Sequence, residues 1–351
     1  MLIDGYSLAF RAFYALPQTL TNSSGVVTNA LHGFSRMLAN LVDTYQPSHM
    51  AVAFDYPAPT FREALFPPYK GHRPETPESL RPQLQLLRPL VTALGIPAIE
   101  REGFEADDVI GTLSRWAADA RLRCYIVTGD RDSFQLVEDP YVTVLYNRRG
   151  VSEIDLMDER AVAQKAGVPP SRYSQYAALR GDPSDNIPGI PGVGEKTAAK
   201  LLNEYGDLEE LLLHVDSLSG KLRTTIAESA EQIRLNAELS RIERDVPLDV
   251  GIDDLRIDRW NSEEARELFS TLELRGSLKA LSESFRYRED LARASSLEGT
   301  SIDEVVAKSY REVESVIELL DGAREEDSVV VAVRFAGTPG RSALVAVAMS
   351  C

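Results

Sequence analysis

Glu105, Asp107 and Asp108 place three carboxylates within four residues, in the stretch Gly103-Phe104-Glu105-Ala106-Asp107-Asp108. Behind them Ala106, Val109, Ile110, Leu113, Ala117 and Ala120 recur at the three-and-four spacing of an apolar helix face, so the acidic trio opens a helix. Glu105 and Asp108 share a face, and Asp107 lies beside them in the first turn, within reach of the same ion. Acidic residues are favoured at any helix start by its exposed N–H groups and dipole, so this stretch alone weighs evenly between capping and chemistry. Further isolated carboxylates follow other strand-like runs: Asp4, Asp55, Asp130 with Asp132, and Asp182 with Asp185. Gathered together, they cannot stand bare. Two like charges ~4 Å apart repel by roughly 4 kcal/mol at an effective dielectric of ~20, and several such pairs exceed the ~5–15 kcal/mol stability of a domain. Protons or cations must neutralise them. An all-oxygen donor set without His or Cys suits Mg²⁺ or Mn²⁺ rather than Zn²⁺.

The elements that must carry these residues alternate. Leu2-Ile3-Asp4-Gly5 reads as the end of a buried strand, short enough to suggest a missing N-terminal residue or two. Thr28 to Asp43 is helical, with Leu31, Phe34, Leu38, Leu41 and Val42 on one side. His49 to Phe54 is a strand with Asp55 at its end. Thr76 and Pro77 are good N-cap and first-turn residues for a helix carrying Leu80, Leu84, Leu87 and Leu94 and stopped by Gly95. Cys124–Thr128 and Tyr141–Tyr146 are two more strands. Alternation of this kind predicts an α/β fold with a mainly parallel, doubly wound sheet, whose ligands sit at the strands' C-terminal edge. After about residue 168 the strand signal gives way to helices up to about residue 285. Arg286–Ser296 reads as a linker, and Val329–Phe335 with Ala343–Met349 as a hairpin around Gly337-Thr338-Pro339-Gly340.

Two segments could hold an anion. Phe61-Arg62 and Phe66-Pro67-Pro68-Tyr69-Lys70-Gly71-His72-Arg73 interleave bases and aromatics. The basic segment extends through Arg81 and Arg88; arginine binds phosphates and tyrosine can stack on an unpaired base, a reading that outweighs an ordinary solvated face. Gly189-Ile190-Pro191-Gly192-Val193-Gly194 opens a helix on which Lys196, Thr197 and Lys200 follow. Its glycines let a backbone approach closely, and its N–H groups suit an anion. No strand precedes it, so it is not a dinucleotide fingerprint, and the spacing is not that of a Walker loop. Contact with a nucleic-acid backbone, read without regard to sequence, fits better than a bare turn. Arg11, among apolar residues near Asp4, could pair with the carboxylates or grip a phosphate. Asp130-x-Asp132 and Asp182/Asp185 are weak signals singly, since both spacings also occur in ordinary turns.

The 351 residues, 44% hydrophobic and 26% charged, are those of a globular protein of two or three domains. Two cysteines make neither a disulfide framework nor a zinc site and fit a reducing cytosol. A secretory start and a ~20-residue apolar span are both lacking, which points to a cytoplasmic protein without a membrane partner. The net charge of −16 argues against a nucleic-acid binder by bulk charge but leaves room for a local basic patch. No Ser–His or Cys–His arrangement stands out as a nucleophile.

Taken in order, Leu2-Ile3-Asp4-Gly5 with Arg11, Phe54-Asp55, Tyr69-Lys70-x-x-Arg73, Gly103 to Asp108, Thr128-Gly129-Asp130-Arg131-Asp132, Gly181 to Asn186 and Pro191 to Thr197 resemble one family closely. It is the 5′–3′ exonuclease, or flap endonuclease, domain at the N-terminus of bacterial DNA polymerase I, matched over roughly residues 1–290. The resemblance implies a PIN-like catalytic domain over 1–167, with a helical arch at about 60–95, and a helix–three-turn–helix DNA-binding subdomain over 168–290. It implies two or more divalent cations, Mg²⁺ with Mn²⁺ able to substitute: Asp4, Asp55, Glu105 and Asp107 toward one, and Asp107, Asp108, Asp130, Asp132, Asp182 and Asp185 toward the others. Arg11, Lys70 and Arg73 correspond to residues that hold the scissile phosphate, and Tyr69 to a stacking aromatic, with Arg62 in the same basic segment. Gly189, Gly192, Val193, Gly194, Lys196, Thr197 and Lys200 would face the duplex backbone, with K⁺ at the glycine turn. The implied substrate is DNA with a 5′ flap, a nick or an RNA primer, handled at the nucleoid beside a polymerase domain in cis or in trans. Residues 291–351 resemble the opening of a proofreading-like domain. No Asp or Glu follows Asp327, so the metal pair of an active domain is lacking and an inactive vestige is expected, in a chain that reads as a fragment.

Two rivals remain on the sequence. A junction-binding module that does not cut would gain nothing from massed carboxylates. A PIN-type ribonuclease acting on single-stranded RNA would have no use for the duplex-backbone loop at 181–200.

Overall fold

The computed structural model describes residues 1–149, 153–257, 262–286, 330–335 and 344–350. Its first half alternates: β1 (Leu2–Asp4), α1 (Gly5–Ala15), α2 (Asn29–Tyr45), β2 (Ala51–Ala53), α3 (Phe61–Leu65), α4 (Arg81–Ala93), β3 (Ala98–Ile99), α5 (Ala106–Asp119), β4 (Cys124–Thr128), β5 (Val142–Arg149) and β6 (Glu153–Met157). Helices follow: α6 (Glu159–Ala166), α7 (Tyr173–Arg180), α8 (Glu195–Tyr205), α9 (Leu208–Leu213), α10 (Gly220–Glu228), α11 (Ala230–Ser240), α12 (Ser262–Thr271) and α13 (Arg275–Ser284). Among the described residues no helix is long and apolar enough to cross a membrane.

The sheet has six strands in the order β3-β2-β1-β4-β5-β6. The first five run parallel and β6 is antiparallel to β5. Successive residues of a strand face opposite sides, so the short apolar runs feed two cores. Leu2, Ala51, Ala53, Ile126 and Val144 pack on one side with Val109, Ile110 and Leu113 of α5. Ile3, Val52, Val127 and Leu145 pack on the other with Leu8, Phe34, Leu38 and Leu87. The first core continues without a break into Val168, Tyr173, Leu201 and Ile233 of the helices beyond the sheet. Phe269 of α12 and Leu281 of α13 return instead to the second core, so the described helices after residue 168 are divided between the two faces.

The order of strands places the chemistry. The chain builds outward from β1 through β2 to β3, then crosses back to lay β4 on the other side of β1. The reversal lies between β1 and β4, the point where open parallel sheets hold their ligands. Asp4 ends β1, and Asp130 follows the end of β4.

Three local expectations differ from the structure. Helix α4 begins at Arg81, after a turn in which the Pro77 carbonyl accepts from the amides of Leu80 and Arg81. Pro82 falls in the first turn, where its missing N–H costs no helical bond, and the helix runs on through an interior Pro89. The pairing of β3 covers two residues, too few for a periodic signal. Strand β6 reads Glu-Ile-Asp-Leu-Met because it is an edge, with Glu153 exposed and Asp155 beside Arg148 and Lys165.

The loop after α7 is folded backbone on backbone. Asp182 and Ile187 pair as a bridge, and a Cβ on Gly181 (φ +79°) would lie 2.3 Å from the Gly189 nitrogen. Gly181→Ala therefore meets both a left-handed φ and a clash that no side chain can relieve, and is expected to lower unfolding stability by about 3 kcal/mol or more. Urea denaturation checks this; a loss within the ordinary surface range would show that the loop opens at little cost.

Strands β7 (Val330–Phe335) and β8 (Leu344–Ser350) form an antiparallel hairpin belonging to a second compact unit. The linker from residue 287 onward and the turn at Gly337–Gly340 lie outside the described residues.

Candidate metal centre

Asp4 is turned into the site by its own helix. Its Oδ1 caps α1 by accepting from the Ser7 amide (2.9 Å), and its Oδ2 accepts from Thr128 Oγ1 (3.1 Å). Thr128 Oγ1 also accepts from the Asp130 amide (3.0 Å), tying the ends of β1 and β4 together. Asp55 Oδ1 accepts from the Ala106 amide (2.8 Å), drawing the end of β2 to the N-terminus of α5. Asp130 Oδ1 accepts from the Asp132 amide (2.9 Å), which aims both carboxylates from one turn.

The electrostatics show how closely these groups share a space. Burial, then Asp55 and Asp130, push the Asp4 carboxyl up to about 7. Burial, then Asp130 and Asp4, hold Asp107 well above the usual carboxylate range. Asp132 is raised by burial, Asp130, Asp182 and Asp185, and Asp130 by burial, with Asp185 and Asp182 adding to it. Asp107 Oδ1 is buried and has no hydrogen-bond partner. A buried acceptor without a donor is costly, and a cation is the partner that the surrounding acids would favour.

The loop after α3 reaches into the same place. Lys70 Nζ lies 2.9 Å from Glu105 Oε1 and 3.8 Å from Asp185 Oδ2. Arg73 Nη2 lies 2.6 Å from Asp185 Oδ1. Lys70 holds φ +53°, an unfavourable conformation for a side-chain-bearing residue, and its amide donates to the Asp185 carbonyl (3.0 Å). Asn186 Nδ2 donates to the Pro68 carbonyl (2.7 Å). The loop is thus seated on the turn that bears Asp182 and Asp185. Asp182 itself is held by Ser184, whose amide and hydroxyl donate to its Oδ1 (2.7 and 2.6 Å). Arg11 lies against Gly129, where a Cβ would come within 2.6 Å of its Nη2, and donates to the Arg148 carbonyl (3.2 Å).

Asp4, Asp55, Glu105, Asp107, Asp130, Asp132, Asp182 and Asp185 therefore converge, with Lys70 and Arg73 among them and Arg11 beside Asp130. Among the described residues no group of three or more Asp, Glu, His or Cys side chains is arranged to hold a metal ion. The donor set fits hard divalent cations, which take carboxylate oxygens and water.

Four residues differ from expectation. Asp108 is fully buried and its two oxygens accept four donors, both Arg62 Nη atoms (2.7 Å each) and the Glu105 and Glu243 amides (3.1 and 2.8 Å), so it has no lone side left for an ion. Arg62 is 2% exposed and cannot meet DNA. Tyr69 is 4% exposed, and its hydroxyl bridges Glu105 (3.1 Å) and Asp185 (2.9 Å) rather than offering a ring to a base. The Val193 side chain is buried and its amide closes a turn on the Ile190 carbonyl (2.9 Å), while Gly192, Gly194, Lys196 and Lys200 are exposed and Thr197 half-buried. Residue type was legible at these positions; direction was not. Thr128 and Ser7, which orient Asp4, Gly129 and Asp130, had no sequence signal beyond their place at element ends.

Comparison with known proteins agrees with this geometry. Residues 1–167 match the family described as "5'-3' exonuclease, N-terminal resolvase-like domain", and residues 168–263 match "5'-3' exonuclease, C-terminal SAM fold". DNA polymerase I of Mycobacterium tuberculosis is 48% identical over 276 residues, covering 78% of this chain and 30% of that protein. DNA polymerase I of Bacillus caldotenax is 39% identical over 344 residues, covering 97% and 38%. The chain thus spans about a third of the length of these curated relatives. Among solved structures, the zinc-bound T5 5′-exonuclease superposes with a TM-score of 0.57 at 19% identity, covering 82% of this chain and 99% of that one. The catalytic core of Rad2 in complex with a DNA substrate gives 0.51 at 16%, covering 82% and 91%. At these identities the two structures establish a shared fold.

Proposed function

The chain belongs to the 5′–3′ exonuclease family, and from that premise we propose that it is a metal-dependent, structure-selective 5′ nuclease that hydrolyses phosphodiester bonds at 5′ flaps, nicked ends and RNA primers of DNA. The observation that carries this reading is the buried, partnerless Asp107 Oδ1 among carboxylates that raise one another's pKa at the sheet's reversal point. Asp4, Asp55, Glu105 and Asp107 would hold one divalent cation, and Asp107, Asp130, Asp132, Asp182 and Asp185 a second or third, with Mg²⁺ the expected ion and Mn²⁺ a substitute. Bound there, the cations would supply Lewis acidity and charge neutralisation for in-line hydrolysis.

The chain's own residues do the rest. Lys70 and Arg73 bring positive charge into the acidic cluster, and Arg11 brings it to the rim at Gly129, where a phosphate would otherwise be repelled. Exposed Gly192 and Gly194 with Lys196 and Lys200 offer a sequence-independent surface for the duplex backbone, with K⁺ proposed at the glycine turn. The setting would be the cytoplasm, on nucleoid DNA, alongside a polymerase domain in cis or in trans.

The test is cleavage of a 5′-labelled flap DNA with Mg²⁺ or with EDTA. Cutting that requires Mg²⁺ is expected; cutting in EDTA, or none with Mg²⁺, would remove the proposal.

The same carboxylates make a stability prediction. Their folded pKa values lie above the ordinary value, so their contribution to stability is fully present at low pH. It is lost as pH rises through the raised values, about 7 for Asp4. A cation binds the deprotonated cluster and removes that loss. Mg²⁺ should therefore raise Tm more at pH 8 than at pH 5. An equal shift at both would mean that Mg²⁺ binds elsewhere.

A further inference from the structure

Arg62 engages every N–H it has. Nε donates to the Leu239 carbonyl (2.9 Å), Nη1 to Asp108 Oδ2 (2.7 Å) and Glu105 Oε2 (3.4 Å), and Nη2 to Asp108 Oδ1 (2.7 Å) and the Arg241 carbonyl (2.7 Å). Asp108 in turn accepts from the amides of Glu243 (2.8 Å) and Glu105 (3.1 Å). One buried ion pair therefore joins three pieces of chain: α3 at the foot of the basic loop, the first turn of α5, and the strap that leaves α11.

The strap is laid along α5 by further contacts. Gln135 donates to the Ser240 carbonyl (3.0 Å) and accepts from the Ile242 amide (2.9 Å). Thr112 Oγ1 accepts from the Val246 amide (3.0 Å). Gly111 brings the two backbones together, since a Cβ there would meet the Glu243 carbonyl at 2.8 Å. At the other end of the path, Asn236 of α11 donates to the carbonyls of Ala178 (2.9 Å) and Pro188 (2.7 Å). Those two residues bracket the turn that carries Asp182 and Asp185 and leads into the glycine turn.

We propose that Arg62 and Asp108 are positioning residues: a joint, outside the cation ligand set, that fixes Glu105 and Asp107 relative to the duplex-binding turn at 189–200. This rests on the nuclease reading above. The planar fork of Arg62 sets an angle as well as a charge, which a lysine ammonium cannot do. Displacing α5 by about 1 Å is enough to lower a reaction rate by about 10²-fold.

The test uses Arg62→Lys, Asp108→Asn and the double variant of the full chain. The readouts are kcat and KM on 5′-flap DNA, Mn²⁺ stoichiometry by electron paramagnetic resonance, and thermal melting. Each single change is expected to lower kcat by about tenfold to a hundredfold with KM within about threefold. The double variant should be no worse than the weaker single, because both remove one joint. Asp108→Asn should keep the wild-type number of bound Mn²⁺ ions. Loss of an ion would make Asp108 a ligand and overturn the joint, as would an unchanged kcat in folded protein. Where either variant melts below the assay temperature, Thr112→Val removes the strap's contact at the Val246 amide without stranding a charge. It should lower kcat by about threefold to tenfold at constant KM, and an unchanged kcat there also defeats the proposal. A wild-type chain that does not cut would count against the nuclease reading, and the Mn²⁺ count of Asp108→Asn would still decide the joint.

Discussion

Asp130→Ala is expected to bind 5′-flap DNA as wild type does and to cut it about 10³-fold more slowly or worse. Asp130 stands at the sheet's reversal point, one strand from Asp4, and raises the pKa of Asp4, Asp107 and Asp132. It therefore acts on carboxyls of three different elements at once. Its removal takes a negative charge from the middle of the cluster, weakening the hold on cations more than the loss of a rim carboxylate would. It leaves the glycine turn and its lysines untouched, so DNA affinity should hold. Single-turnover cleavage with saturating enzyme gives the rate, and fluorescence anisotropy in Ca²⁺ gives the affinity. A wild-type rate would place Asp130 outside the chemistry, and a parallel loss of affinity would make its role one of folding or binding.

Lys70→Ala should lower the cleavage rate about 10²- to 10³-fold, the scale of removing one preorganised donor from a reacting oxyanion. Its amine lies 2.9 Å from Glu105 and 3.8 Å from Asp185, so it carries a positive charge across the cluster from α5 to the turn at 182–187. The left-handed φ of +53° burdens alanine as it burdens lysine, so the substitution isolates the amine. Lys70→Arg restores charge and should recover part of the rate; Lys70→Met keeps the stem and should recover none. Equal rates for all three variants would mean that the loop's conformation matters and its charge does not.

These expectations follow from features of unequal visibility in the sequence. The convergence of Asp4, Asp55 and Asp130 was legible because each follows an apolar run, and parallel strands deliver their C-terminal ends to one edge; Glu105 was legible because it opens an amphipathic helix. The helix faces of α2 and α5 were legible for the same kind of reason, since burial repeats with the helix. Direction within a polar stretch was not. Arg62 and Tyr69 look like surface residues of a basic loop, yet both turn inward, because buried carboxylates at 105, 108 and 185 draw their donors. One clue to Asp108 was present: Gly111 and Thr112 follow it at three and four residues, a small-residue stripe where a second backbone can lie close. Strand β6 carries no apolar alternation because it is a sheet edge, and α4 starts later than Thr76–Pro77 suggests because residues 77–80 close as a turn on the Pro77 carbonyl.

The intact carboxylates and the seated lysine also bear on the rival readings. A module that only bound junctions would carry the mutual repulsion at Asp4, Asp107 and Asp132 without a use for it. A nuclease for single-stranded RNA would leave the exposed glycine turn and its lysines without a duplex to hold.

The most direct measurement is anomalous diffraction from crystals of the chain soaked in Mn²⁺. Manganese peaks should lie within bonding range, about 2.0–2.6 Å, of oxygens of Asp4, Asp107 and Asp130, with Asp107 Oδ1 among the ligands and Asp108 not. Saturating Mn²⁺ that leaves no peak at any of these carboxylates would contradict the shared-cation account.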